Sequence, residues 1–267
     1  MLFNRMKKRI IFAFLLLLCS LSLVSAQTQV IAHRGFWKHE GAAQNSRASL
    51  QYALDLNIYG SETDIWLTAD GHLMVNHDST YGGVRIEKAS YADCKNLILK
   101  NGEKMPELKD FLKVLAESAS SVKLIIEIKS HATPERNREA ARRTVEEVRK
   151  YGMENKVEYI SFNLEACKAL VQEAPKAKVA YLGSEHTPAR LFSEGCTGVD
   201  FSLGTFRKHP HWMAEAHRLG MTVNVWTVDK VEDMQKMKAD GADFITTNEP
   251  LQCSGICTSS EMKGERQ

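Results

Sequence analysis

Three short stretches of this 267-residue chain pair residues that can hold a metal ion or move a proton. The first, "GSETDIWLTADGHLMVNHDS" at 60–79, opens with Glu62 and Asp64 and closes with His77 and Asp78. Glu62 and Asp64 stand two apart, so on a strand both point to one face. The second, "QVIAHRG", ends in His33, Arg34 and Gly35; the third, "LIIEIK", carries Glu127 and Lys129 at the same two-residue spacing. An ionised Glu127 between Ile126 and Ile128 costs several kcal/mol unless a cation or hydrogen bonds compensate it. Three carboxylates brought together repel one another and invite a hard divalent cation, for which oxygen donors suit Ca²⁺ or Mg²⁺. The imidazoles of His33 and His77 are the groups that exchange protons near neutral pH. Each stretch also has a plainer reading: "ExD" as a solvated strand end, "HRG" as a turn, Glu127 as the partner of Lys129. Only their conjunction at strand ends speaks for chemistry.

Those residues need a scaffold that brings strand ends together. The chain alternates short β-rich runs ("QVIAHRG", "YGSETDIWL", "VKLIIEIKS", "VEYISF", "KVAYLG", "GVDFSL", "TVNVWTV", "ADFITTN") with amphipathic stretches such as "ELKDFLKVLAES" and the segment from Glu135, which Pro134 starts and Gly152 stops. Strands alternating with helices mean βα units and a parallel sheet. Eight in order predict a (β/α)₈ barrel, with the site at the C-terminal ends of the strands. The alternative, a doubly wound open sheet, normally shows G-x-G-x-x-G after its first strand; "HRGFWKHEG" lacks it. Asp70-Gly71 forces antiparallel pairing, so Glu62–Leu67 is expected as a barrel strand and His72–His77 as its partner folded over the mouth. Residues 79–106 then form a small insertion after the second barrel strand. Asn45 is expected as the N-cap of the helix that follows it. His39, His72, His131, His186, His209, His211 and His217 read as surface or loop residues.

Residues 1–26 stand apart. Arg5, Lys7, Lys8 and Arg9 form a basic region, Ile10 to Val24 an apolar run, and "VSA" suits signal peptidase, so export with cleavage after Ala26 is expected, to the periplasm or outside the cell. The apolar run is shorter than the ~20 residues a spanning helix needs, which argues against an uncleaved anchor. Without these four basic residues, which have no acid among them, the formal charge falls from +2 to −2. A nucleic-acid partner then lacks its electrostatic footprint. Hydrophobic residues at 43% and charged residues at 25% are ordinary for a globular chain. Cys94, Cys167, Cys196, Cys253 and Cys257 make neither a disulfide framework nor a zinc pattern, although Cys253 and Cys257 could pair in an oxidising compartment. The barrel is expected over 27–252, with 253–267 as a polar C-terminal tail.

In order along the chain, "IAHRG", "ETDIWLTADGHLMVNHD", "LIIEIK", "VNVWTVD" and "FITTNEP" resemble the successive motifs of the glycerophosphodiester phosphodiesterase family, over residues 30 to 250. That resemblance implies a (β/α)₈ barrel with a small insertion after the HD motif, and hydrolysis of glycerophosphodiesters to an alcohol and glycerol phosphate. It implies His33 and His77 as the acid–base pair, Glu62, Asp64 and Glu127 as ligands of one divalent cation, Arg34 and Lys129 at the phosphate, and Trp226 and Asn248 near the substrate. It also implies that the substrate's own neighbouring hydroxyl attacks, giving a cyclic phosphate that water opens. The chain departs from the family's usual "PENT": it reads "AAQNS", with Gln44 in place of Glu and Asn45 retained. The partner implied is a small phosphodiester, with membrane lipid only as its source. The rivals are a related barrel phospholipase, of the sphingomyelinase D or phosphoinositide-cleaving type, and an exported head-group-binding protein without turnover. The second would not need two acid–base histidines.

Overall fold

The computed structural model describes residues 27–259; the stretch read as a signal peptide and residues 260–267 lie outside the described residues. Eight strands run parallel and close on themselves: β1 (Gln29–Ala32), β2 (Gly60–Leu67), β6 (Lys123–Ile128), β7 (Val157–Ser161), β8 (Val179–Tyr181), β9 (Gly198–Ser202), β10 (Thr222–Trp226) and β11 (Phe244–Thr247). Closure is made by β1, which pairs with β11 on one side and β2 on the other. Each of the eight coincides with a β-rich run of the sequence. The architecture is the (β/α)₈ barrel.

Closure makes every barrel strand two-faced. Ile65, Leu67, Leu124, Ile126 and Ile128 point outward and belong to the large core shared with the helices. Ile31, Ile125, Ile160, Leu182 and Phe244 point inward and form a separate inner cluster. This period-two division leaves Glu62 and Asp64 no outward option: with Thr63 and Ile65 facing the helices, both carboxylates enter the barrel.

The Asp70-Gly71 hairpin forms as expected, with β3 (Leu73–Val75) antiparallel to the outer end of β2. Gly71 has φ +90°, a conformation that favours glycine. The connection is longer than a two-residue turn: Thr68 N–H donates to the His72 carbonyl, and Asp70 accepts from the Tyr91 N–H. Asp70 thereby ties the hairpin to the insertion, whose β4 (Thr80–Tyr81) and β5 (Val84–Arg85) form their own small sheet. Trp66, Met74, Ile86, Cys94, Leu99 and Met105 give the insertion a core of its own.

Three local expectations differ. The helix Arg47–Leu56 is capped by Ser46, whose side chain accepts from the Ser49 N–H, and not by Asn45. His131 is buried: its Nε2 accepts from the Leu67 N–H and its Nδ1 donates to the Lys129 carbonyl, so it bridges the ends of β2 and β6. Helix Pro250–Thr258 continues into the stretch expected as a polar tail, because Cys253 and Cys257 give it a buried face. Their sulfurs lie 3.9 Å apart as free thiols.

Candidate active site

The "HRG" turn sets up the first half of the site. Arg34 (φ +58°) and Gly35 (φ +76°) both sit in the left-handed region, which turns the chain sharply at the end of β1. A Cβ on Gly35 would lie 2.4 Å from Ser49 Oγ, so the close approach to the following helix requires glycine. The same turn aims the Arg34 N–H at Glu62 Oε2, 2.7 Å away. The guanidinium donates to Gln44 Oε1 at 2.8 Å and stands 3.8 Å from Asp64.

Asp64 and Glu127 are register partners on adjacent strands, which puts their carboxylates side by side. With Glu62 they offer ligand oxygens that all lie within 4.8 Å of one another, and all three residues are buried. Burial first, then repulsion from Asp64, pushes Glu127 up to about 8; Glu62 is driven well above the usual range by burial and by both neighbours. Burial acts on Asp64 too, but Lys129, His77, the Asn45 amide and Arg34 outweigh it and hold it below the usual value. Lys129 Nζ lies 3.2 Å from Asp64 and 2.7 Å from Glu127, and these carboxylates raise it despite its burial. One lysine does not neutralise three carboxylates. Glu62 Oε1 is buried with no hydrogen-bond partner among the described residues. A divalent cation fits such a donor set, all oxygen and with surplus negative charge.

The histidines approach from different sides. Burial, then Arg34, lowers His33 to about 4, so it is neutral at physiological pH. Its Nδ1 is 2.9 Å from Asn248 Oδ1, which also accepts from Trp37 Nε1–H at 3.0 Å. Asn248 Nδ2 donates to Asp229 at 2.8 Å, and Asp229 also accepts the Asn248 N–H. With its amide orientation fixed in this way, Asn248 Oδ1 is an acceptor, so His33 carries its proton on Nδ1 and leaves Nε2 as a lone pair. His77 is more exposed and its Nδ1 meets Asp78 Oδ1 at 2.7 Å.

His33, Arg34, Glu62, His77, Glu127 and Trp226 line one cavity of about 110 Å³ at the barrel mouth. His77 also lines a wider cleft of about 680 Å³, bounded by Trp37, Gln44 and the insertion residues Tyr81, Leu99 and Lys100. Of the residues expected at the substrate, Arg34 and Trp226 line the inner cavity, while Lys129 stands behind it against Asp64 and Glu127. Asn248 holds His33, Trp37 and Asp229 instead of lining the cavity.

Two residues have roles in the site that the sequence reading did not assign. Asp229 closes the motif "VNVWTVD" but was given no role of its own. Asn45, buried at φ +58°, donates to Asp64 Oδ2 (2.8 Å) and accepts from Thr63 Oγ1 (2.8 Å) and the Asp64 N–H (3.2 Å). Its place in "QNS" had suggested a cap one residue too early.

A parallel barrel whose mouth gathers three carboxylates, an arginine, a lysine and two histidines around a small cavity defines a hydrolase of phosphoric esters. Comparison with known proteins narrows that class. Residues 33–252 match the model of the glycerophosphoryl diester phosphodiesterase family, and the chain belongs to that family. A glycerophosphodiester phosphodiesterase from Parabacteroides distasonis, known from its crystal structure, is 45% identical with a TM-score of 0.85, over 87% of this chain and 98% of that one. A glycerophosphodiester phosphodiesterase of Caldanaerobacter subterraneus is 29% identical over 84% of this chain and 95% of its own. A phosphodiesterase of Oleispira antarctica, solved with its product sn-glycerol-3-phosphate, shares the fold at a TM-score of 0.76 and 22% identity, over 87% of this chain and 98% of that one.

Proposed function

We propose that the chain is an exported, metal-dependent glycerophosphodiester phosphodiesterase that divides its proton transfers between His33 and His77. The observation that carries this reading is the convergence of both imidazoles with Glu62 and Glu127 on one cavity, Asp64 lying beside those two carboxylates, with His33 neutral and its Nε2 free. Glu62, Asp64 and Glu127 would hold one Ca²⁺ or Mg²⁺, which supplies positive charge against the charge that builds on the phosphoryl oxygens.

Arg34 and Lys129 add fixed positive charge beside the triad and orient the anionic diester. His33 Nε2 takes the proton from the attacking group, in this reading the substrate's own neighbouring hydroxyl. The new O–P bond forms as the P–O bond to the alcohol breaks. His77, which lines both the inner cavity and the outer cleft, gives its proton to the departing alkoxide, and the wider cleft receives the alcohol. Water then opens the cyclic phosphate with the roles reversed.

Large apolar side chains exposed among the described residues are Ile98, Phe162, Phe192 and Leu251, and of these Phe162 lines the cavity. They do not form the continuous apolar rim that a membrane phospholipase would use. The test is alcohol release from a panel of glycerophosphodiesters and from bis(p-nitrophenyl) phosphate, with chelator and with Ca²⁺ or Mg²⁺ restored. Chelator-sensitive cleavage of glycerophosphodiesters is expected. Binding without turnover across the panel would overturn the reading.

A further inference from the structure

The inner half of the barrel holds a polar group that this mechanism does not use. Asp200 on β9 and Asn224 on β10 are register partners, and Asn224 Nδ2 donates to Thr246 Oγ1 on β11 at 2.8 Å. Asp200 is 2% exposed, yet it is among the residues that line the same cavity as His33, Glu62 and Glu127. Among the described residues its Oδ1 has no hydrogen-bond partner, and neither does the Oδ1 of Asn224. Burial raises the carboxyl to about 7, opposed only by Asn224; no cation acts on it.

Two buried acceptors without donors are costly unless something arrives to meet them. Next to Asp200, on and just after the neighbouring strands β7 and β8, the lining residues Ile160, Phe162 and Leu182 are apolar. A ligand seated here therefore meets phosphate-binding charge at the mouth and hydrocarbon side by side with an unpaired carboxyl oxygen. A short carbon chain bearing hydroxyl groups matches that sequence of surfaces. A hydroxyl can donate to an ionised carboxyl or accept from a protonated one, so the match holds in either state.

We propose that Asp200 determines specificity: it hydrogen-bonds the terminal hydroxyl, not the attacking one, of the substrate arm that stays on phosphorus, so that the inner cavity selects an arm bearing both hydroxyls over one bearing the attacking hydroxyl alone. This rests on the reading of the site given above and names the part of the substrate that the inner cavity selects. Asp200 touches no reacting atom in this scheme; it discriminates by leaving a buried polar group unpaired when the hydroxyl is missing.

The test compares binding of sn-glycerol 3-phosphate with that of propane-1,2-diol 1-phosphate, which has the same carbon length and keeps the attacking hydroxyl but lacks the terminal one. Titration calorimetry is done on the Ca²⁺- or Mg²⁺-loaded protein. Wild type is expected to prefer glycerol phosphate by about tenfold or more. Asp200→Leu, which matches the native side chain in number of heavy atoms, and Asp200→Ala should each cut the preference to within about threefold. Asp200→Asn, which can still hydrogen-bond, should keep most of it. Either of the first two variants suffices if the other does not fold. A preference that survives Asp200→Leu or Asp200→Ala, with or without lost thermal stability, makes Asp200 a purely structural partner of Asn224 and overturns the assignment. Equal wild-type affinity for the two ligands overturns it as well. If wild type cleaves glycerophosphodiesters in either case, only the Asp200 assignment fails; if it cleaves none, the functional reading fails on its own evidence.

Discussion

Replacing Asn45 separates a helix cap from a clamp on Asp64. A cap is worth about 1 kcal/mol and accepts Asp, Ser or Asn almost interchangeably. The clamp is a different device. Asn45 gives one hydrogen bond to the Asp64 carboxylate and takes two, from Thr63 Oγ1 and the Asp64 N–H. A bond to a charged group contributes about 1.5–3 kcal/mol and each neutral one about 1 ± 0.5, so Asn45→Gly should cost about 3–5 kcal/mol. Asn45→Ala should be worse still by up to about 1 kcal/mol, because alanine at φ +58° is strained where glycine is not. In a domain of this size that is a fall in Tm on the order of 10 °C. Asn45→Asp is the decisive variant. It suits a cap, but it sets a carboxylate against the Asp64 carboxylate and loses the only donor of the clamp. Urea unfolding of the four proteins, with metal titration alongside, measures both stability and the placement of Asp64. Wild-type stability in Asn45→Asp, or Asn45→Gly less stable than Asn45→Ala, would refute the reasoning.

Other outcomes follow from the same site. Glu127 holds a proton up to about 8 in the metal-free protein and must release it to bind an ion. Metal affinity should therefore rise with pH until about 8 and then level, with protons released on binding at pH 7; calorimetry in buffers of different ionisation enthalpy counts them, and a count of zero contradicts the coupling. His33→Ala and His77→Ala should each lower turnover about 10²–10⁴-fold, with non-additive losses in the double variant. On esters with a p-nitrophenolate leaving group His77→Ala should recover and His33→Ala should not; the opposite pattern exchanges their roles. Native protein should begin at Gln27, and N-terminal sequencing that finds Met1 would rule out cleavage after Ala26.

The sequence by itself determined the order and number of barrel strands, because a strand that is buried on both faces must read as a short apolar run, and closure needs eight of them in turn. It also picked out the carboxylates that gather at the barrel mouth. "ExD" and "LIIEIK" can be read directly because a two-residue spacing fixes which side chains share a face, and a charge inside an apolar strand needs a reason. What holds those residues in working order was decided by tertiary structure. His33 meets Asn248 across 215 positions of chain, and Asn248 in turn depends on Asp229; no local pattern joins them, so the tautomer of His33 is invisible before the barrel closes. Asn45 changes from cap to clamp for the same reason: a left-handed φ at a turn is compatible with either, and only the approach of β2 supplies Thr63 and Asp64 as partners. The helix after Pro250 packs two cysteines that look unremarkable in a polar stretch. Asp200 in "GVDFSL" reads as an ordinary polar residue in a short strand. Closure turns it inward, to the cavity that Glu62 and Glu127 also line, which is why the role proposed for it belongs to the fold and not to the motif.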